Sequence, residues 1–142
     1  MRDRELNRAL EALHFAFRAV IKKPDERLAK LGLSRVHHRV LYFIGHRPKG
    51  SVAELLKAMQ VSKQYLHRPL RQLIRQGFVR MERDPDDGRI KRLSLSEKGK
   101  QFERQLSGIQ RGRFARVFAE SGPEAEQTWY RVMALLADKR FD

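Results

Sequence analysis

Polar and basic side chains recur at helical spacing between residues 64 and 75, and this pattern is suited to binding nucleic acid. Counting from Gln64, the other members follow at offsets of three, four, seven and eleven positions, which places them on one side of a helix. Glutamine reads adenine and arginine reads guanine through paired hydrogen bonds in the major groove. The N-terminal members are therefore predicted to meet base edges, and Arg71 and Arg75 to meet phosphates. The residues predicted to contact DNA from this helix are Ser62, Lys63, Gln64, His67, Arg68, Arg71 and Arg75.

A second candidate contact lies in the segment RDPDDGRIKR, where aspartates stand among basic residues in a chain of formal net charge +14. Asp87 precedes Arg89 by two residues, so in a strand-like arrangement its carboxylate can hold the guanidinium through a charge-assisted pair. An arginine held in this way loses less rotamer entropy when it enters a groove of DNA. We predict that Asp87, Arg89 and Lys91 belong to the DNA-binding surface and that Arg89 enters the minor groove.

The remaining aspartates of this segment are given structural roles. Asp84 is expected either to hold Arg83 or to shape the turn with Pro85, and Asp86 to be a solvated loop residue. A catalytic role is not supported, because the cluster lies on a predicted exposed loop with no cleft and no histidine beside it. The chain also has no cysteine, no HExxH spacing and no glycine-rich phosphate loop. We predict that the protein is not an enzyme and carries no metal or cofactor.

The helix that carries the basic residues is predicted to be the second helix of a helix-turn-helix. Ser51 and Glu54 have capping-box spacing and open a short helix, and Ser62 caps the next helix after a turn. Gly77 stands where a helix typically ends on a left-handed residue. The predicted core face of the second helix consists of Leu66, Leu70, Leu73 and Ile74.

Pro69 interrupts this pattern about two turns into the helix. It cannot donate to the carbonyl of Tyr65 and it crowds the preceding turn. We expect a kink that bends the helix after its base-reading end, and the alternative is a tolerated local irregularity.

Two strands are predicted after this helix. Residues 78–82 alternate between apolar and polar, and a second strand contains Ile90, Leu93 and Leu95, whose uneven spacing predicts a twist or a bulge. Residues 84–88 have turn chemistry and join the strands into a hairpin. A helix-turn-helix followed by such a hairpin is a winged helix.

Further helices are predicted on both sides of this unit. One covers residues 5–22 and is ended by Pro24, and another is capped by Ser34 and ends near Gly45. A helix starts at Ser96, and a last one starts at the second capping-box spacing, Ser121 to Glu124. The long terminal helices are not needed to complete the winged helix, so they are free to pack against a second copy.

The composition calls for an anionic partner, because 31 Lys and Arg oppose 17 Asp and Glu. Nucleic acid is the leading candidate because its phosphates are dense and release counterions on binding. An anionic membrane surface is the rival, but the basic helix face has few aromatics and its apolar side is predicted to be core. No apolar run approaches the roughly 20 residues that span a bilayer, and the charged start MRDRELNR is not a signal peptide. We expect a cytoplasmic protein without a membrane partner.

The segment RDPDDGRIKRLSLSEKG resembles the wing signature of the MarR family of bacterial transcription regulators. That signature is an Asp-x-Arg pair followed by a strand that ends in Leu-Thr-x-x-Gly. The corresponding residues are Asp87-Gly88-Arg89 and Leu95-Ser96-Glu97-Lys98-Gly99, and the serine preserves the hydroxyl cap. This chain departs from the family at Gly88, where members often have a charged residue, and at Pro69 in the recognition helix.

The resemblance implies a mainly α fold with a small β-hairpin wing. A winged helix-turn-helix DNA-binding domain, residues 33–95, is flanked by residues 1–32 and 96–142, which contribute to dimerisation. Family members are homodimers that bind pseudo-palindromic operators in double-stranded DNA. Many repress a neighbouring gene until a small ligand, often an aromatic acid, binds. The alternative is a winged helix that coats DNA or grips structured RNA without a ligand.

The resemblance also implies a ligand pocket between the dimer helices and the winged helix. A cationic, aromatic-lined cleft suits an aromatic carboxylate. Ordinary packing is the alternative, because a histidine or tyrosine on a half-buried helix is usually satisfied by its neighbours. The absence of cysteine excludes sensing by thiol oxidation. The candidate ligand-binding residues are His14, Phe17, Arg18, His37, His38 and Tyr42.

Overall fold

The computed structural model describes residues 2–142 as a mainly helical chain with one small antiparallel sheet. The helices are α1 (Arg2–Ala29), α2 (Arg35–Gly45), α3 (Val52–Met59), α4 (Lys63–Arg75), α5 (Glu97–Ser121) and α6 (Pro123–Leu136), followed by a short 3₁₀ helix at Lys139–Phe141. The strands are β1 (Gly50–Ser51), β2 (Val79–Arg83) and β3 (Lys91–Leu95). The element order therefore confirms a winged helix-turn-helix with additional helices at both ends.

The chain forms two compact units, and the boundary between them lies within α5. The first unit ends at Ile109 and the second comprises Gln110–Asp142. The core of the first unit draws one or more apolar residues from every helix of the predicted winged helix. The leucine face of α4 is part of this core, as the periodicity predicted: Leu66, Leu70 and Leu73 are buried, and Ile74 packs against them. Burial of this face fixes which side of α4 is turned outward.

The sheet has the strand order β1-β3-β2. Val79 lies opposite Leu95 and Arg83 opposite Lys91, with every intervening residue paired. The predicted bulge is therefore wrong. Its cause was the inclusion of Ile90, which precedes β3 and lies in the turn, whereas Leu93 and Leu95 keep the two-residue alternation and are both buried.

Strand β1 was not predicted from the sequence, because a strand of two residues is too short to show an alternating pattern. Gly50 pairs with Leu93 and Ser51 with Arg92. This short strand connects the wing to the start of α3, since Ser51 is also the residue that caps α3.

The prediction that Pro24 ends the first helix is wrong, because α1 continues to Ala29. A proline inside a helix removes one hydrogen bond and costs about 3 kcal/mol. Pro24 and Leu28 are both fully buried, so packing of this last part of α1 against the core offsets that cost.

The start of the last helix also differs from the prediction. Ser121 is the final residue of α5, and its hydroxyl donates to the carbonyl of Val117 at 2.8 Å. Gly122, at φ 94°, makes the turn, and α6 begins at Pro123 without a side-chain cap. The spacing from Ser121 to Glu124 was coincidental, because a proline at the first helical position needs no donor partner.

The Leu-Ser-x-x-Gly motif joins the wing to α5. The Ser96 hydroxyl donates to the carbonyl of Gly77 at 2.6 Å and accepts from the Gly99 amide at 3.0 Å, which confirms the predicted cap. A Cβ on Gly99 would collide with the Phe78 carbonyl oxygen, so only glycine allows α5 to start this close to β2. Among residues 2–142, no helix has the length and apolar character needed to cross a membrane.

Candidate nucleic-acid interface

Helix α4 presents a polar face opposite its buried leucines. The Ser62 hydroxyl accepts the Tyr65 amide at 3.1 Å and begins the helix, as predicted. Gly77 follows its end at φ 82°. All seven residues that were predicted to contact DNA from this element are exposed: Ser62, Lys63, Gln64, His67, Arg68, Arg71 and Arg75. The helix therefore directs these side chains outward through burial of its other face.

Pro69 lies within α4, and the helix is assigned on both sides of it. The proline is only partly buried and is not part of the core cluster. The bend that we expect at this position stays a prediction.

The turn into α4 is formed by Gln60 in the left-handed conformation, at φ 55°. The Ser51 hydroxyl accepts the Glu54 amide at 3.0 Å, which confirms one half of the predicted capping box. The other half is wrong: the Glu54 carboxylate accepts from the guanidinium of Arg92, at 3.3 Å, instead of reaching back to the cap. A cation 38 residues away is a stronger partner for this carboxylate than a backbone amide.

At the wing, Asp87 holds Arg89 in two-point contact. Nε of Arg89 donates to Oδ1 of Asp87 at 3.1 Å, and Nη2 donates to Oδ2 at 3.3 Å. The Arg89 amide also donates to Oδ1, at 3.0 Å. The hydrogen bond from the Arg89 side chain holds the pKa of Asp87 below its ordinary value. Because the Arg89 side chain is 91% exposed, this pair orients the guanidinium and contributes little to stability.

Asp84 shapes the turn, and its partner among the arginines is Arg92 and not Arg83. Its Oδ1 accepts the amides of Asp86 at 2.8 Å and of Asp87 at 3.0 Å. Its Oδ2 accepts Nε of Arg92 at 3.0 Å. The backbone hydrogen bond from Asp86, followed by that from Arg92, lowers the pKa of Asp84. The predicted pairing with Arg83 is wrong, because Arg92 approaches Asp84 from the neighbouring strand.

A groove of about 570 Å³ separates α4 from the wing. Its apolar floor includes Leu66, Leu70 and Met81. Five of the predicted DNA-contacting side chains line it, three from α4 and two from the wing: Lys63, His67, Arg71, Arg89 and Lys91. Gln64, Arg68 and Arg75 are not part of its lining. The structure thus brings residues from two separate sequence motifs to one cationic groove.

Two of the candidate ligand-binding residues are buried and have protein partners. Nε2 of His37 lies 2.9 Å from the Gln72 amide oxygen, and its Nδ1 accepts the Ser34 amide at 3.0 Å. Nε2 of His38 lies 3.0 Å from the Ser107 hydroxyl. These contacts favour the packing interpretation for both histidines, because each ring already has a partner.

The other four candidate ligand residues lie on exposed parts of α1 and α2. Tyr42 stacks on His46 at 4.1 Å between ring centroids, and Phe17 lies under the guanidinium of Arg35 at 5.7 Å. His14 contacts the ring of Phe15 edge-on, and Arg18 is exposed.

Two acidic residues that the sequence analysis did not single out lie near His38. Glu103 is 8% exposed, and its Oε2 has no hydrogen-bond partner among the described residues, like Oδ1 of Asp25. Burial lowers the pKa of His38, and the charges of Glu103 and Asp25 oppose this effect. Nothing in the local sequence indicated this cluster, because its members come from α1, α2 and α5. No group of three potential ligands among residues 2–142 is arranged to hold a metal ion.

Comparison with known proteins agrees with this geometry. A model of the MarR family matches residues 31–90. The HTH-type transcriptional regulator PetP of Rhodobacter capsulatus is 36% identical over 136 residues, which cover 96% of this chain and 82% of that protein. The chain belongs to the MarR family. This MarR-family protein is a winged-helix, DNA-binding transcription regulator and not an enzyme.

Solved structures share the fold of this MarR-family chain. FabT of Streptococcus pneumoniae, crystallised in complex with DNA, has a TM-score of 0.81 at 19% identity and covers 92% of this chain and 94% of its own. PcaV of Streptomyces coelicolor, in complex with its natural ligand, has a TM-score of 0.68 at 21% identity and covers 95% of this chain and 91% of its own. At these identities the likeness concerns the fold alone.

Proposed function

We propose that the protein is a homodimeric repressor that binds a pseudo-palindromic operator in double-stranded DNA and is released by a small ligand. The observation that carries the DNA-binding part is that basic residues from α4 and from the wing line one groove, namely Lys63, His67, Arg71, Arg89 and Lys91. Asp87 holds Arg89 at this groove. Helix α4 enters the major groove and Arg89 reaches the adjacent minor groove. The crystallised FabT–DNA complex supports this assignment.

The roles of the DNA-contacting residues divide along α4 and the wing. Lys63, Gln64, His67 and Arg68, near the N-terminal end of α4, read base edges. Ser62 positions the start of the helix at the DNA. Arg71 and Arg75 on α4, and Lys91 on the wing, contact phosphates. Asp87 braces Arg89 and does not face the phosphates.

Exposed apolar faces at both ends of the chain support the homodimer. On α1, the large apolar residues Leu6, Leu10, Leu13 and Phe17 are exposed. On α6, Trp129, Val132, Leu135 and Leu136 are exposed. Several exposed large apolar side chains on one helix mark an interaction site, and a two-fold homodimer is the commonest partner arrangement. Residues 1–32 and 96–142 thus contribute to dimerisation, while Leu28 and Leu106 also anchor them in the core that residues 33–95 provide.

The effector we propose is a small aromatic carboxylate. The complex of PcaV with its natural ligand supports a ligand-responsive member of the same fold. His14, Phe17, Arg18 and Tyr42 offer aromatic and cationic groups to such a ligand. His37 and His38 contribute only if they give up their contacts with Gln72 and Ser107.

A footprinting experiment tests the regulator against a non-regulatory nucleic-acid binder. The expected result is a protected site with two half-sites about one helical turn apart. Featureless coverage of the duplex, or equal affinity for structured RNA, contradicts the repressor.

A thermal-shift screen against aromatic carboxylates, repeated with the selected duplex present, tests the effector. The expected ligand raises the melting temperature of the free protein and releases it from DNA. If no compound does both, the ligand-responsive part of the proposal fails and the DNA-binding part stands.

A further inference from the structure

Arg92 differs from the other basic residues of the wing, because its guanidinium is held by protein carboxylates on two sides. Nε donates to Oδ2 of Asp84 at 3.0 Å, and Nη1 donates to Oε1 of Glu54 at 3.3 Å. Its side chain is 32% exposed, against 91% for Arg89. Nη1 also donates to the carbonyl of Lys49, at 3.5 Å. An arginine whose Nε and Nη1 both have protein partners is less free than Arg89 to turn toward a phosphate.

The contacts of Arg92 continue through Asp84 and Asp87 to Arg89. Oδ1 of Asp84 accepts the amide of Asp87, and the carboxylate of Asp87 holds Arg89. The order from the first helix of the helix-turn-helix to the wing tip is Glu54, Arg92, Asp84, Asp87 and Arg89. Each neighbouring pair in this order is joined by a hydrogen bond of 3.0 to 3.3 Å.

The backbone places this chain of contacts at the joint between the wing and α3. Arg92 lies opposite Ser51 in the β1–β3 pairing. Ser51 caps α3 by accepting the amide of Glu54, so the strand pair and the side-chain contact meet at the same turn. The joint therefore combines two backbone pairs with one bridging arginine.

The groove between α4 and the wing also reaches this joint, because Glu54 and Arg92 line it together with Arg89 and Lys91. The tip of the wing is therefore not held by packing against α4 where the groove lies between them. The orientation of the tip depends on the short β1–β3 pairing and on the side chains that bridge it. Two-stranded ribbons twist readily when nothing else restrains them.

We propose that Arg92 is a positioning residue that sets the orientation of the wing relative to the helix-turn-helix, and so places Arg89 on the operator without contacting DNA itself. This inference rests on the proposed role of Arg89 in binding DNA. It also explains why acidic residues stand in the basic surface: Glu54, Asp84 and Asp87 restrain arginines that would otherwise be mobile.

The decisive variant is Arg92→Lys, which keeps the charge. A lysine ammonium is a single nitrogen and cannot reproduce donors from Nε and Nη1 to two separate carboxylates. The probe is a duplex that the wild-type protein selects from a randomised library. We expect affinity to fall about five- to tenfold, within the usual range for coupled ion-pair contacts, and the salt dependence to stay as in the wild type because no phosphate contact is lost.

A double-mutant cycle with Arg89→Ala separates positioning from general destabilisation. If Arg92 acts through Arg89, then Arg92→Lys changes affinity by less than about twofold once Arg89 is alanine. The matched control is Arg80→Lys on β2, an exposed arginine with no ion pair among the described residues; its expected affinity lies within about twofold of the wild type. Glu54→Gln breaks the other end of the contact, raises the net positive charge and is still expected to weaken binding.

Three outcomes of the Arg92→Lys measurements overturn the proposal. These are wild-type affinity in Arg92→Lys, equal losses from Arg92→Lys in the presence and absence of Arg89, and a shallower salt dependence in Arg92→Lys. If Arg92→Lys melts below the assay temperature, Glu54→Gln decides, and binding by that variant that equals or exceeds the wild type overturns the proposal. If Arg89→Ala binds the duplex as tightly as the wild type, both the proposed wing contact and this inference fail. If Arg89→Ala binds more weakly but Arg92→Lys binds like the wild type, only the inference fails.

Discussion

Helix α4 and the wing present basic side chains to the same groove, but different forces direct those side chains. On α4 the orientation of the helix directs them: Leu66 and Leu73 are buried, so the polar residues on the opposite face point outward. In the wing tip, ion pairs do so: Asp87 holds Arg89, and Asp84 holds Arg92. A helix has an inside and an outside that hydrophobic burial can set, whereas an exposed turn has none.

This difference explains the uneven distribution of acidic residues. The face of α4 that is predicted to contact DNA has no carboxylate, while the wing tip has three aspartates within four positions. Carboxylates near a phosphate backbone weaken binding by repulsion unless they restrain a cation that binds it. The comparison predicts that affinity follows net charge on α4 but not on the wing. Removing a basic residue of α4 should weaken binding, and on the wing the removal of Asp87 should weaken it as well.

The largest effect is expected from the tip of the wing. Arg89→Ala should weaken binding to the selected duplex by about 2–3 kcal/mol, because charge-assisted hydrogen bonds in the minor groove are lost. A gel-shift titration at fixed salt measures this loss. Affinity within error of the wild type would remove the wing from the interface.

A loss of about 1–3 kcal/mol is expected from Arg68→Ala on α4, confined to the base pair that it reads. Arg71→Ala is the matched control on the same face. It should weaken all duplexes alike and reduce the slope of log affinity against log salt by about one. Binding measurements on a set of single-base variants distinguish the two, and an identical pattern for both arginines contradicts the division between bases and phosphates.

A smaller loss, about 0.5–1.5 kcal/mol, is expected from Asp87→Ala, although this variant is more positively charged. The reason is the rotamer entropy that an unrestrained Arg89 loses on binding. Asp86→Ala makes the same change in charge at an exposed neighbour that has no arginine partner among the described residues. Tighter binding by Asp87→Ala would show that this aspartate opposes binding instead of bracing Arg89.

The smallest effect concerns the pH dependence of stability. It contrasts the buried His38 of α2 with the exposed aspartates of the wing. The pKa of His38 is lowered by burial from 6.5, so as the pH falls below that value the unfolded chain takes up a proton first and the folded state loses stability. The pKa values of Asp84 and Asp87 are lowered from 3.8, so their contribution is lost only as the pH falls below that value. Melting temperatures should therefore already decrease between about pH 7.5 and pH 5.5, less so in His38→Gln. An equal decrease in both proteins would assign the effect to other histidines.

Local patterns predicted those parts of the protein whose causes are local. The caps at Ser51 and Ser62, the leucine face of α4 and the pairing of Asp87 with Arg89 each depend on residues a few positions apart. Two of the errors have long-range causes. Pro24 is tolerated because it is buried against the core, and Glu54 leaves its cap because Arg92 arrives from β3. Rules based on the spacing of nearby residues cannot predict contacts between residues this far apart in the chain.

The amino-acid sequence by itself determined the strongly cationic character of this protein, the basic face of α4 and the pairing of Asp87 with Arg89 in the wing. These follow from charge, helical periodicity and the reach of adjacent side chains. Only the tertiary structure decided that strand β1 joins the wing to α3, that Arg92 bridges Asp84 and Glu54, and that His38 is buried near two carboxylates. Those contacts join residues far apart in the chain, and their partners are chosen by packing of the whole core.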